Sequence, residues 1–598
     1  MARVKTGSLV ILGLLFCLGV VLYVQLTTIT TAPLQQTAMS PQLTLLTDPF
    51  LQAPTPSSVS VVWFTEFEGS DHQVIYGPSQ QAMEANTTRL SRTREDDRSK
   101  TVPAYKEVTD RPIWRHEANI TIPRPGLRLP YYVISTPPMG DPIRSDQFTL
   151  SASPPAGHPL KILLTSDHQL KPMTAANLQK VQETIGQVDG VFMAGDLINI
   201  PDRASEWFDN AEGGAFFPCL QGRASYTLKK GTTRTTYKGG QLIQSAPLFT
   251  AVGNHEVMGR YSTTEKLNNQ FNDPVPWSVA NSLYDQHKQI FNPTDTDKVR
   301  QRWLKNNSFN IDTYNEIFTL PKAPRDNGET QRYYATTFGD VRLVSLYVAQ
   351  IWRRPRIDSE TRGRYQERVS DLDNPKNWGH GHMIFESIEP NSPQYEWLKQ
   401  ELASDEFQQA RYKVVMLHHP PHTLGDNIVP AFTTPVPVYD HDDEGNLTGI
   451  RYEYPLQEDH IIKHLVPLLE TAGTDLVYYG HSHIWNRFVS DTGMHFLESS
   501  NVGNTYNAYV GNKRRPVPED NRYQETYVAT GDPNGLEAIV PTIAPLIDET
   551  DNPMPYIASN DLTAFSILDT EKGTVSSYYF DTRKPESDVV KFDVFSIR

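Results

Sequence analysis

The chain has 598 residues, room for several domains, and 38% of them are hydrophobic, enough to bury a sizeable core and to exclude a predominantly disordered protein. Lys and Arg number 55 against 70 Asp and Glu, a formal charge of −15, and no dense basic run is available to track a polyphosphate backbone, which argues against nucleic acid as the main partner. Of the two cysteines, Cys17 sits in an N-terminal apolar run, so Cys219 alone remains for the rest of the chain and rules out a disulfide framework or a Cys-rich zinc site there.

Arg3 and Lys5 precede an uncharged run at residues 9–26, LVILGLLFCLGVVLYVQL. As a helix it would span roughly 27 Å, close to the hydrocarbon thickness of a bilayer. The next charged residue is Asp48, so positive charge lies before the run and none just after it. That asymmetry predicts a cytoplasmic N-terminus with the rest of the chain exported from the cytoplasmic membrane. Residues 1–33 read as a single-pass signal anchor. A cleaved signal peptide, giving a secreted or periplasmic protein, is the alternative.

From residue 41 to 151 the pattern is one of short alternating runs. Residues 58–64, 72–76, 117–122 and 131–135 read as strands separated by Pro-Gly turns, which suggests a β-sandwich. The charged stretch 89–100 reads as a mobile loop, and Pro154-Pro155-Ala156-Gly157 as a linker.

After the linker the pattern becomes α/β. Residues 161–165 form a continuous apolar strand, 172–187 a helix, and 190–194 the next buried strand: a βαβ unit. Further buried strands are expected at 248–252, 342–346, 412–417 and 475–479, with a hairpin at 562–568 and 574–580. Long insertions separate them, at about 201–246, 258–332, 349–390, 424–457 and 504–561.

Ligands of α/β sheets gather at the C-terminal ends of the strands. Five strands end in polar clusters: Ser166-Asp167-His168-Gln169, Gly195-Asp196, Gly253-Asn254-His255-Glu256, His418-His419-Pro420 and Gly480-His481-Ser482-His483. Singly, each reads as a cap, a turn or a buried histidine. Together they point to a metal site. Alternation in an extended backbone would put His481 and His483 on one side, and likewise Asp167 and Gln169. Imidazole, carboxylate and amide donors without thiolates suit Mn, Fe, Zn or Co.

In this order the clusters resemble the signature of calcineurin-like metallophosphoesterases, over roughly residues 159–582. The β-rich segment before it resembles the fibronectin type III-like N-terminal domain of purple acid phosphatases. The resemblance implies a two-sheet sandwich flanked by helices over 159–598, preceded by an all-β fibronectin type III-like sandwich at 41–151. It implies two divalent metal ions: Asp196 shared between them, Asp167, Gln169 and His483 on one, and Asn254, His418 and His481 on the other. A hydroxide between the cations would attack a phosphate ester, mono- or diester. His255 would bind no metal and would protonate the leaving oxygen or stabilise the phosphoryl oxygens.

Two residues depart from the family pattern. Gln169 stands where a His is common, and a neutral carbonyl there favours weaker binding or a harder ion such as Mn or Mg. Asn199 stands where purple acid phosphatases carry a Tyr, so no purple colour is expected. Beyond the ligands, His168 is expected to stand behind the site; His419 and His422 are candidates for the pocket rim, with a structural role as the alternative, and Arg487 is a candidate to pair with a substrate phosphate. Glu256 is a further pocket candidate. The insertions are expected to wall the pocket.

Overall fold

The computed structural model describes residues 43–321 and 332–597. Leu45–Arg598 forms one compact unit. Among the described residues no helix is long and apolar enough to cross a membrane. The apolar run at 9–26 lies outside them.

The β-rich segment folds as two facing antiparallel sheets. One has the order Phe50–Thr55, Ser58–Thr65, Trp114–Thr121, Asn86–Arg89. The other is built on Leu129–Thr136, which pairs with Asp71–Tyr76, Ile143–Arg144 and Phe148–Leu150. Val59, Val61 and Trp63 meet Val74, Tyr131 and Val133 between the sheets, as period-two alternation requires. Yet Val62 and Phe64, on the opposite face of the same strand, are also fully buried. They share one apolar cluster with Leu163, Met193, Trp207 and Phe217 of the α/β segment. The outer face of this sheet is therefore an internal packing surface rather than a solvated one.

The charged stretch at 89–100 is not a mobile loop. Arg94–Glu95 pairs as a short strand with Thr109–Asp110, and Arg94, Glu95 and Asp96 are buried. Buried charges need partners, and here the α/β segment supplies them. Arg94 reaches Asp202 at 2.7 Å, Glu95 accepts from Ser205, and Asp96 meets Arg203 at 3.1 Å.

The α/β segment is a two-sheet sandwich. The six-stranded sheet runs Leu248–Thr250, Gly190–Met193, Lys161–Thr165, Leu562–Asp569, Thr574–Asp581, Val590–Ser596. Its first three strands are parallel, and the predicted C-terminal hairpin follows antiparallel. The seven-stranded sheet has Val341–Ser345, Tyr412–Met416, Leu476–Tyr479 and His495–Ser499 in parallel at its centre. Ile162, Leu164 and Phe192 of one sheet interlock with Leu343, Val414 and Tyr478 of the other. On the outer faces, helix Thr174–Ile185 covers Leu163 and Val191, and helix Pro393–Leu402 covers Val344 and Val415. Strands buried on both faces read as continuous apolar runs, which is why they were legible without alternation.

Candidate active site

Five strand ends turn toward one point. Lys161–Thr165, Gly190–Met193 and Leu248–Thr250 deliver Asp167, Gln169, Asp196 and Asn254 from one sheet. Tyr412–Met416 and Leu476–Tyr479 deliver His418, His481 and His483 from the other. All seven side chains are buried.

His418 Nε2 lies 3.0 Å from His481 Nδ1, 3.1 Å from Asn254 Oδ1 and 3.3 Å from Asp196 Oδ1. His483 Nε2 lies 3.4 Å from Asp167 Oδ1. Gln169 Nε2 donates to Asp196 Oδ2 at 2.7 Å, which joins the two groups. The structure thus brings the seven residues together, but not by strand alternation. Each strand stops before its motif, and after three of the five the backbone enters the left-handed region: φ is 57° at Asp167, 36° at Gln169, 54° at Asp196, 82° at His481 and 56° at His483. Such conformations cost a non-glycine residue about 1–3 kcal/mol each and persist where the surrounding structure imposes them.

The motif glycines make room. A Cβ on Gly253 would lie 2.3 Å from Asp196 Oδ1, and one on Gly480 would lie 2.1 Å from Asp167 Oδ2. Only hydrogen at these positions leaves the two carboxylates where they are.

The donor set fits divalent cations. His418 and His483 each donate Nδ1–H to a backbone carbonyl, of Ala194 and Asn504, at 2.8 Å. Their Nε2 lone pairs are thereby turned inward, the arrangement in which ligating histidines are held. Gln169 Oε1 and Asp167 Oδ1 are buried without a hydrogen-bond partner. Asp196, His418 and His481 offer ligand atoms within 4.8 Å of one another. Burial would lower the pKa of His418, but Asp196 beside it holds the ring up at about 10. The carboxylates thus call for positive charge at the centre of the cluster.

His255 stands just outside this group. Its backbone N–H donates to Asp196 Oδ1 and its Nδ1–H to Asn199 O, both at 2.8 Å. Nε2 is the ring nitrogen left over, and His255 lines a cavity of about 420 Å³ together with Asp196, Asn254, His481 and His483. Burial, only partly offset by Asp196, lowers its pKa below the usual histidine value.

The other candidates lie elsewhere. Glu256 accepts from the N–H groups of Gly253, Asp196 and Leu197 at 2.7–2.9 Å, tying two motif loops together from behind. Burial, reinforced by the Asp196 charge, pushes its carboxyl up to about 8. His168 turns back to Thr165 Oγ1 at 2.9 Å, behind the ligands. His419 packs between Phe432 and His481, and His422 binds Asp532 at 2.8 Å. Neither reaches the cavity rim. Arg487 cannot serve a substrate phosphate, because it is held at 2.6 Å by the fully buried Asp593, and withdrawing it would strand that charge.

Sequence reasoning missed a chain of groups behind His255. Asn199, noted only for the Tyr it replaces, accepts from His255 and donates Nδ2–H to Gln169 O. Its N–H donates to Glu206 Oε2 at 2.8 Å. Glu206 pairs with Arg203 at 2.7 Å, and Arg203 reaches Asp96 of the β-rich segment. No local pattern marks these residues. The insertions do wall the cavity, through Phe271, Trp352, Phe385 and Tyr506 among others.

The sequence profile of the calcineurin-like phosphoesterase family matches residues 160–485. No curated protein matches the chain. Among solved structures, the purple acid phosphatase PPD1 from yellow lupin (Lupinus luteus) seeds is 14% identical over 92% of this chain and 74% of its own, with a TM-score of 0.48. PhoD is 10% identical over 91% of each chain, with a TM-score of 0.36. GAP50, the anchor in the inner membrane complex of Plasmodium, is 10% identical over 73% of this chain and 90% of its own, with a TM-score of 0.31. With the family profile spanning more than half of its length, this chain belongs to the calcineurin-like phosphoesterase family and is a metal-dependent phosphoester hydrolase.

Proposed function

We propose that the chain hydrolyses phosphate esters at a two-cation centre on the exported side of the cytoplasmic membrane. The observation that carries the catalytic part is the meeting of seven buried side chains of metal-ligating type at five strand ends. Asp167, Gln169, Asp196 and His483 would hold one cation, and Asp196, Asn254, His418 and His481 the other. Two divalent cations held there would supply neutralisation of the phosphate charge and a lowered pKa for bound water.

The remaining work falls to the chain's own residues. Asp196 offers one oxygen to each half of the cluster and lessens the repulsion between like charges. His255, its Nδ1–H fixed on Asn199 O, presents Nε2 to the cavity; protonated there as well, in its imidazolium form, it would pass that second proton to the departing alkoxide or donate it to a phosphoryl oxygen and return to the neutral ring. Glu256 and the motif glycines hold the loops so that these groups do not reorganise on binding.

The test is metal analysis and turnover measured on one sample, with an aryl phosphate and an aryl phosphodiester as substrates. Two equivalents of divalent metal and chelator-sensitive hydrolysis are expected. A folded protein that retains metal and turns over neither ester would refute the reading. The location rests on the apolar run at 9–26 and the charges before it. Protease accessibility of the catalytic part in intact cells tests it, and protection there would place the chain on the other side.

A further inference from the structure

We propose that the alcohol half of the substrate is a planar, uncharged ring system with hydrogen-bonding edges, of which a nucleoside is the type, seated on an aromatic wall that the insertions add to the cavity. This rests on the phosphoesterase reading above and specifies its substrate class.

Three observations carry it. The first is a column of rings. Tyr506 stacks on His483 with centroids 4.7 Å apart and planes 30° apart. Trp352 stacks on Tyr506 at 6.0 Å and 22°. The column therefore runs from a cluster histidine outward along the cavity, and its last member is a half-buried tryptophan. Phe271, which also lines the cavity, lies 5.0 Å from His255. Tyr506 is already stacked on both His483 and Trp352, so a flat group attached to a phosphate at the cluster would meet the outer rings, Trp352 and Phe271, and such stacking is a strong source of affinity for planar rings.

The second is charge. Arg203 is the only Lys or Arg among the residues that line the cavity. Its guanidinium is already shared between Glu206 at 2.7 Å and Asp96 at 3.1 Å. Among the described residues that line the cavity no other cation is present, and Lys171 nearby acts on Asp167 and Asp196 at the cluster itself, so a second phosphate or a carboxylate on the leaving group would meet no cation along the aromatic wall.

The third is polarity without charge. The Asn268 amide lines the cavity and makes no hydrogen bond within the described protein, and Asn272 uses only Nδ2, on Asn268 O. Trp352 Nε1 is buried without a partner. Donors and acceptors left over beside an aromatic face suit the edge of a heterocycle better than an alkyl chain. A volume of about 420 Å³ suits a small molecule rather than a polymer segment.

The experiment compares adenosine 5′-monophosphate with glycerol 3-phosphate on the metal-loaded full chain. Both are alkyl phosphomonoesters, so their chemical steps are matched and the ratio of kcat/KM reports the ring. The expected ratio is roughly 10- to 100-fold in favour of the nucleotide. Trp352→Leu and Tyr506→Leu are each expected to bring it to within a few-fold of unity. Calorimetric titration with adenosine, which carries no phosphate, gives a second readout, with binding weakened about 10-fold in both variants. Equal kcat/KM for the two esters, or adenosine binding unaltered by both substitutions, would overturn the proposal. If wild type turns over neither monoester, the aryl phosphodiester assay above decides on the phosphoesterase reading, and the adenosine titration still decides on the ring site.

Discussion

Two buried pairs of histidines, one in each half of the molecule, make an instructive contrast. In the β-rich segment His72 and His116 stack at 3.6 Å. Every ring nitrogen there is satisfied in the neutral state: His72 by Ser135 Oγ and Glu68 O, His116 by Thr65 Oγ1 and Thr87 Oγ1. No carboxylate hydrogen-bonds to either ring, and burial lowers both pKa values, that of His116 to about 2. In the α/β segment His418 and His481 meet edge to face at 4.9 Å. There the ring nitrogens face each other, an amide oxygen and a carboxylate, and His418 is held up at about 10. Burial is common to both pairs. What separates a packing element from a reactive centre is the uncompensated acceptor set around Asp196.

If that is the distinction, removing the carboxylate should convert one kind of pair into the other. Asp196→Ala is expected to lose bound metal and activity together, by several kcal/mol of transition-state stabilisation or on the order of 10⁴-fold. Metal analysis alongside kcat checks it, and a variant that keeps both cations would break the contrast. The next effect separates holding a cation from moving a proton. His255→Ala is expected to retain the metal of wild type while kcat falls roughly 10²- to 10⁴-fold. A normal kcat in the metal-replete variant would remove His255 from the chemistry.

A third substitution tests whether the β-rich segment acts on the site at all. Asp96 closes the path Asp96–Arg203–Glu206–Asn199–His255, each link at 2.7–3.1 Å. Asp96 Oδ2 also accepts from Leu267 N–H, at the start of the helix that carries Phe271. Asp96→Asn keeps the shape and removes the charge. It is expected to lower kcat about 10-fold, the low end for groups that orient reacting residues, and to leave KM and metal content unchanged. A matching loss in an Asp202→Asn control, which breaks a neighbouring buried pair outside this path, would mean that general loosening is responsible.

These contrasts also explain what could be read from the sequence. The strands were legible because burial on both faces leaves continuous apolar runs, and the site was legible because five clusters end five strands. Their convergence was expected for the wrong reason. Alternation was to align Asp167 with Gln169 and His481 with His483, whereas left-handed turns do so, and no side-chain pattern announces a positive φ outside glycine. Residues 89–100 misled for a related reason. A run of charges ordinarily means solvent, but these are buried by Asp202, Arg203 and Ser205, about a hundred residues away and without a motif. The same distance hid the function of Asn199, Arg203 and Glu206. Phe271, Trp352 and Tyr506 lie in insertions whose place at the cavity only the folded chain reveals.

The smallest expected effect sharpens the comparison from its inert side. His116 is neutral when folded, with its pKa near 2, and takes up a proton near pH 6.5 when unfolded. Below pH 6.5 the unfolded chain therefore binds more protons than the native one, and stability falls as pH falls, from pH 6.5 toward the folded pKa. The slope for this one group is about 1.4 kcal/mol per pH unit. Denaturant midpoints measured between pH 7 and 5 should show that decline, and His116→Gln, which keeps hydrogen-bonding groups beside Thr65 and Thr87 but cannot titrate, should flatten it by the contribution of one proton. The metal centre gives a different signature in the same range, since its histidines exchange a cation for protons and the loss there should vanish when metal is withheld from the start. The share of the acid sensitivity that persists in the metal-free protein and is lost in His116→Gln belongs to the sandwich, alongside the like contributions of other buried histidines such as His168, His380 and His419. Sensitivity that follows the metal instead would show that the two buried pairs differ less than their surroundings indicate.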